Sequence, residues 1–375
     1  MKKEIVNLGK VPLVNNLFKT KEESLNAKKF GLRVLEEENL LMKLDIEIPS
    51  EEMFEQYLYR SAINKPYIEH CKKMWNYVSK FEPKNIADIG GNDGSLLKAF
   101  KESCDYSLSL TNVDASSSFK DENELEGIKY IQKYWGDFSF EKKFDLITST
   151  NVFQHNPDYR KFLKGIKENL DGIWVLEFPY FLETVKTDQF DQIYHEHVFY
   201  WLLKPLHNLF KEYGLKIIDV SLQDIHGGSM RIVSSNKPEH KENLEKINFF
   251  IKQEEEFNFS NWGDKINLKI KNDKIFLENL EGSTAAFGAA AKGCIYLNCV
   301  KNGNIKYIID DTPQKQNLFS PGTGLEIVSR EILKTDPPDN ILVLAHNFKK
   351  YIASSLREYG YKGKILTMLP TIEEI

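Results

Sequence analysis

One run constrains this chain more than any other: Ile86-Ala-Asp-Ile-Gly-Gly-Asn-Asp-Gly-Ser95 reads as a buried strand that turns through glycines into a helix. Strand patterns follow at 106–113, 144–149, 172–177, 215–220 and 230–234, with helical spacing at 159–170 and 204–213 between them. Such alternation predicts a mainly parallel sheet with helices on both faces. Residues 237–279 are highly charged with spaced apolar positions, which predicts long helices linking two units. A second alternating unit then has strands at 284–289, 305–310, 340–345 and 364–368 and helices at 291–300 and 348–359. The expected class is α/β, with two doubly wound (Rossmann-like) domains and a small N-terminal subdomain. The expected boundaries are 1–66, 67–236 and 237–375.

With 375 residues and 41% hydrophobic content, each unit can bury a core. The 50 basic and 55 acidic residues leave a net charge of −5, so a polyanionic partner such as nucleic acid is not expected. Cys71, Cys104, Cys294 and Cys299 form no Cys-x-x-Cys pair, which argues against a disulfide framework and a cysteine zinc site. Met1-Lys-Lys-Glu-Ile-Val-Asn7 lacks the apolar core of a signal peptide, and no apolar stretch is long enough to span a bilayer. A cytoplasmic protein with a small-molecule substrate and no membrane partner is expected.

The turn at Asp88-Ile-Gly-Gly-Asn-Asp-Gly94 suits a cofactor, because Gly90 and Gly94 let the backbone approach a ligand closely. Asp114 ends the next strand pattern, where a carboxylate can accept from both ribose hydroxyls. Asn92 and Asp93 occupy the place where a pyrophosphate needs uncharged backbone, so the site favours a cation over phosphate. S-adenosyl-L-methionine, with its sulfonium and α-amino group, fits better than a dinucleotide. Asp137 and Phe138 are candidates for the adenine, and Asn151 for the methionine end.

Tyr194-His-Glu-His197 gathers two imidazoles, a carboxyl and a phenol within aromatic surroundings, the best candidate for acid/base chemistry. Methyl transfer from a sulfonium requires a nucleophile made electron-rich by loss of a proton. One imidazole can face substrate while the other anchors the loop. A metal site would need further ligands that the sequence does not supply, and none is expected. His155 follows the strand ending beside the cofactor and is a second candidate for polarising substrate. In His226-Gly-Gly-Ser-Met-Arg231, Gly227 exposes backbone N–H groups near Ser229, and Arg231 could bind an oxyanion. In Phe287-Gly-Ala-Ala-Ala-Lys-Gly293, Lys292 and the helix amides before Gly293 could grip phosphate, with Lys315 and Ser320-Pro-Gly-Thr323 continuing that site. A phosphate-free cofactor site beside a phosphate-binding unit suggests a substrate carried on a nucleotide diphosphate.

Together with Leu8-Gly-Lys-Val-Pro-Leu-Val-Asn15 and Tyr57-Leu-Tyr-Arg-Ser61, these motifs resemble the S-adenosylmethionine-dependent sugar C-methyltransferases, which act on nucleotide-linked 4-keto-deoxysugars. The resemblance implies that His197 removes the proton next to the keto group. Tyr194, Glu196 and His155 would orient it, Tyr57 and Tyr59 would help bind substrate, and the C-terminal unit would hold the nucleotide. Two departures stand out. The family's zinc-binding cysteine pairs are missing, with Leu35 and Glu38 where the second would fall, and His346 replaces a usual aromatic. An O-methyltransferase acting on a sugar or small hydroxy acid in glycan biosynthesis is the alternative, and a silent binding protein of the same fold is a third reading. A monomer or homodimer is expected.

Overall fold

The computed structural model describes residues 2–46, 48–49, 65–301 and 304–375. Tyr57 and Tyr59 lie outside these residues. Three sheets are present among the described residues. The first contains β1 (Lys3–Pro12), β2 (Lys29–Glu36), β3 (Met42–Leu44) and β9 (Phe199–Tyr200), in that order. The second, seven-stranded, is ordered β10-β11-β8-β7-β4-β5-β6. Its strands are β4 (Asn85–Ile89), β5 (Ser109–Asp114), β6 (Lys129–Gln132), β7 (Phe144–Thr150), β8 (Leu170–Pro179), β10 (Lys216–Gln223) and β11 (Ser229–Ser235). The third, ordered β14-β13-β12-β15-β16-β17, contains β12 (Thr284–Phe287), β13 (Ile305–Ile309), β14 (Ile327–Val328), β15 (Asn340–Val343), β16 (Lys364–Thr367) and β17 (Glu373–Glu374).

The α/β expectation holds in both larger units. All five residues of β4 are buried, as required of a parallel strand covered on both faces. β5 and β7 pair with β4 in parallel on opposite sides. The chain therefore winds outward in both directions from β4, leaving a crevice beyond the carboxyl ends of these strands where α/β sheets bind ligands. Only β11 runs against its neighbours, pairing antiparallel with both β8 and β10. The third sheet repeats the arrangement, with β13 and β15 parallel on either side of β12.

The N-terminal sheet is closed by a segment from the middle of the chain. β9 starts two residues after His197 and pairs with β3 through Met42↔Tyr200 and Lys43↔Phe199. Ile5, Val6, Leu32, Val34 and Met42 share one buried core with Trp201, Trp262 and Ile295, so this core runs across the three units, while the two larger units each keep a further buried cluster of their own. The expected linking helices are present as Leu244–Glu256 and Trp262–Glu278, but they are packed rather than free. Ile247, Trp262, Ile266 and Leu277 are buried, and a Cβ on Gly263 would lie 2.7 Å from the Ile5 carbonyl oxygen. Among the described residues, no helix is long and apolar enough to cross a membrane.

Candidate active site

The glycine turn after β4 and the carboxylate at the end of β5, both expected to meet the cofactor, come together at the crevice above β4. Gly90 (φ 64°) and Gly94 (φ 76°) both take the left-handed conformation that glycine adopts at little cost. Between them, a Cβ on Gly91 would lie 2.7 Å from both Asn112 Oδ1 and Asp88 Oδ2. The turn rests on amides the sequence had not singled out, with Asn112 and Asn123 donating to the Asn92 carbonyl at 3.0 and 3.1 Å. Asp114 accepts from the backbone N–H groups of Asn92 (3.0 Å) and Ser116 (2.8 Å), and burial raises its pKa.

Asp88 and Asp93 serve the turn itself. Thr148 Oγ1 donates to Asp88 at 2.7 Å, and burial pushes that carboxyl up to about 7. Asp93 accepts from the Ser95 N–H (3.2 Å) and hydroxyl (2.5 Å), which fixes the turn to the first residue of the helix Ser95–Ser103. Asn151 follows β7 at φ 56°, and its Oδ1 is buried without a hydrogen-bond partner among the described residues. An orphaned acceptor after β7, together with the glycine turn after β4 and the carboxylate ending β5, fits a ligand carrying an ammonium group and a ribose. Asp137 lies in the loop after β6, half exposed and paired with Lys161, while Phe138 packs 4.9 Å from Phe140.

The Tyr194–His197 segment is a turn, not a strand: the His197 N–H donates to the Tyr194 carbonyl at 2.9 Å. The turn splits the cluster in two. Tyr194 and His197 bring their rings together with centroids 4.0 Å apart, and His155 lies 4.9 Å from His197. His195 and Glu196 instead anchor the N-terminal sheet, His195 Nε2 lying 3.1 Å from the Gly31 carbonyl and Glu196 accepting from Asn15. Burial pushes Glu196 up to about 7.

The tautomer of His197 follows from its partner. Its Nδ1 lies 2.9 Å from the Gln192 carbonyl, which can only accept, so Nδ1 carries the proton and Nε2 keeps its lone pair. Nε2 makes no hydrogen bond to any described residue. Burial, aided by His155 and Lys292, holds the ring well below the ordinary histidine range, and it stays neutral. His155 is fixed likewise, with Nδ1 2.7 Å from the Glu196 carbonyl and a pKa lowered to about 4 by burial.

The hairpin turn between β10 and β11 braces this site. His226 (φ 54°) and Gly227 (φ 88°) present their carbonyls to Gln192 Nε2 and Gln189 Nε2, each at 2.7 Å. Burial, with Lys292 nearby, lowers His226 to about 3. Ser229 is buried and donates to the Ile225 carbonyl at 3.1 Å, a bond internal to the turn.

Arg231 is placed differently from expectation. It sits directly opposite Glu177 across β11 and β8, and its Nε donates to that carboxylate. His70 Nε2 lies 2.7 Å from the other oxygen, and although burial opposes it, His70 and Arg231 hold Glu177 below the usual carboxylate range. The guanidinium is matched to a buried carboxylate, which leaves little of its charge for an external oxyanion.

The C-terminal turn also divides its residues. A Cβ on Gly293 would lie 2.8 Å from the Gly288 carbonyl and from Leu344 Cβ, so this glycine permits close helix–strand packing. Lys315 Nζ donates to the Ala289 carbonyl at 2.9 Å and lies 3.7 Å from Asp310. Lys292 leaves its own unit, donating to the His226 carbonyl at 3.0 Å. Ser320-Pro-Gly-Thr323 does not extend this turn. Ser24 Oγ donates to the Ser320 carbonyl at 2.6 Å, and the Gly322 N–H to the Ser24 carbonyl at 2.8 Å, so the loop docks the N-terminal subdomain.

Three site residues escaped the sequence reading: Asp191, Gln192 and His346. Asp191 and Gln192 immediately precede the histidine cluster, and His346 was visible as a departure from the resemblance. Their meaning depends on the fold, since buried His346 Nε2 lies 2.9 Å from Asp191 Oδ2 across the unit boundary.

Comparison with known proteins accords with this geometry. Residues 59–220 match the family described as a methyltransferase domain, and residues 224–370 match the C-methyltransferase C-terminal domain. The chain is 26% identical to C-methyltransferase NovU of Streptomyces niveus over 388 residues, covering 96% of this chain and 91% of that protein. The chain is an S-adenosylmethionine-dependent methyltransferase. Along its length this methyltransferase resembles the C-methyltransferases, and S-adenosylmethionine is its cofactor. Two solved structures overlap part of it. A suspected O-methyltransferase from Nostoc punctiforme is 16% identical, with TM-score 0.39 over 45% of this chain and 56% of that one, about half its length. The plantazolicin methyltransferase BpumL, solved in complex with SAH, is 14% identical, with TM-score 0.38 over 46% of this chain and 84% of its own.

Proposed function

We propose that this methyltransferase adds a methyl group to a carbon of a nucleotide-activated keto-deoxysugar, through an enolate generated by His197. The observation that carries the reading is the fixed tautomer of His197, whose Nε2 is hydrogen-bonded by none of the described residues and whose ring lies 4.0 Å, centroid to centroid, from that of Tyr194. A neutral imidazole shielded from water can accept a proton at neutral pH, and the turn leaves Tyr194 and His155 to position it. The sulfonium of S-adenosylmethionine supplies the methyl group. Asp114 would hold the ribose, Asn151 the amino end, and Asp137 with Phe138 the adenine. The hairpin carbonyls of His226 and Gly227 brace the loop.

The nucleotide part is assigned to the strand ends of the C-terminal unit around Gly288 and Asp310, with Lys315 beside them. A topological switch point there, matching the one that receives the cofactor, supports this assignment. Incubation with methyl-labelled S-adenosylmethionine and a panel of nucleotide-linked keto sugars and their free-sugar counterparts tests the proposal. Label is expected only in the nucleotide-linked ketones. Equal labelling of free sugars, or transfer only to hydroxyl-bearing compounds without a ketone, would refute it.

A further inference from the structure

Lys292 belongs by sequence to the C-terminal glycine turn, yet its side chain serves another place. Its Nζ donates to the His226 carbonyl at 3.0 Å, and the same carbonyl accepts from Gln192 Nε2 at 2.7 Å. The backbone carbonyl of Gln192 in turn holds His197 Nδ1. Lys292 is thus one shared carbonyl away from the residue that fixes the base. An ammonium has three N–H donors, and the His226 carbonyl occupies one of them.

The surroundings hold that charge in place without quenching it at the base. Asp191 is fully buried; one oxygen is held by His346 at 2.9 Å, and the other, Oδ1, has no hydrogen-bond partner. Burial lowers Lys292 to about 8 and Asp191 opposes that shift, so the ammonium form prevails at neutral pH. Its field reaches both His197 and His226. Lys315, by contrast, stays on the C-terminal turn with Ala289 and Asp310, and is the lysine available for phosphate there.

We propose that Lys292 is a catalytic residue that stabilises the oxygen anion formed when His197 deprotonates the substrate, so that the active site is completed by the C-terminal unit. The inference rests on the keto-sugar reading above. In the step, His197 Nε2 takes the proton from the carbon beside the ketone. The C–H electron pair becomes the new C=C bond, and the C=O π pair moves onto oxygen, where the ammonium of Lys292 donates a hydrogen bond. The enolate carbon then takes the methyl group, the C=O bond reforms, and S-adenosylhomocysteine leaves. A neutral histidine of low basicity removes a carbon-bound proton only if the charge appearing on oxygen is met, and a preorganised donor in a dry site does this.

The test is solvent deuterium exchange at the carbon beside the ketone, with S-adenosylhomocysteine bound in place of the methyl donor. Wild type, Lys292→Met, Lys292→Arg and Lys315→Met are compared on nucleotide-linked keto sugars, with S-adenosylhomocysteine affinity followed by calorimetry. Lys292→Met is expected to slow exchange by roughly 10²–10³-fold, the usual loss for one oxyanion donor, with cofactor affinity unchanged. Lys292→Arg should retain more exchange than Lys292→Met, and Lys315→Met should raise KM without slowing exchange at saturation. Exchange at the wild-type rate in Lys292→Met, or equal loss in the Met and Arg variants, would overturn the role of Lys292 alone. Absence of exchange in wild type would overturn the keto-sugar reading and this proposal with it.

Discussion

Replacing Arg231 by Met should destabilise the fold far more than it disturbs ligand binding. Arg231 and Glu177 are 5% and 3% exposed and face each other across β11 and β8, so removing the guanidinium leaves a carboxylate in the sheet interior. Breaking a buried ion pair from one side costs about 3–5 kcal/mol. His70 remains 2.7 Å from the other carboxylate oxygen, which places the expected loss near the lower end, about 3 kcal/mol. Replacing both partners, Arg231→Met with Glu177→Leu, removes the charge as well as its partner and should recover most of that loss. Urea denaturation of the four proteins, combined as a double-mutant cycle, reads the coupling directly.

The sign of the pH dependence provides a check. Glu177 is held below the usual carboxylate range, so its contribution is present above the unfolded pKa of about 4.3 and disappears as pH falls through the folded value. The penalty of Arg231→Met should therefore be complete at neutral pH and shrink in acid. An Arg231→Met protein as stable as wild type but with weakened substrate binding would refute the structural assignment and restore Arg231 as an anion ligand.

Other perturbations follow from the same geometry. His197→Asn should lower turnover by at least about 10²-fold while leaving S-adenosylhomocysteine affinity intact, as measured by single-turnover kinetics and calorimetry. Gly94→Ala should cost about 1–3 kcal/mol and weaken cofactor binding, because position 94 has φ 76° and its Cβ would press on Asn123; thermal melts with and without S-adenosylhomocysteine test this. Glu196, raised to about 7 by burial, binds its proton more tightly folded than unfolded, so stability should fall as pH rises from about 4.3 and level off above 7. Glu196→Gln should flatten that slope in denaturation curves taken across this range.

The parts of the fold that could be read from the chain are those carried by local pattern. β4 is a wholly buried strand followed by glycines, and Asp114 ends the next strand, so the strand, its glycine turn and the neighbouring strand-end carboxylate were legible without coordinates. The N-terminal sheet was not, because it is completed by β9, two residues that lie far along the chain next to His197. Register is equally invisible in sequence: Arg231 looks like a free cation until its pairing opposite Glu177 is known. Lys292 and His346 illustrate the same limit, since both face partners in another unit. Within the histidine cluster, His195 and His197 are two residues apart and would share a face of an extended strand; the tight turn separates them, with His195 at the Gly31 carbonyl and His197 beside Tyr194 and His155.

The central claim, that the methyl group is delivered to carbon, is tested most directly by nuclear magnetic resonance of the product made from S-adenosylmethionine carrying an isotope-labelled methyl carbon and a labelled nucleotide-linked keto sugar. A one-bond coupling between the transferred methyl and a ring carbon adjacent to the former ketone is predicted. A methyl signal coupled to the ring only through oxygen would contradict the account.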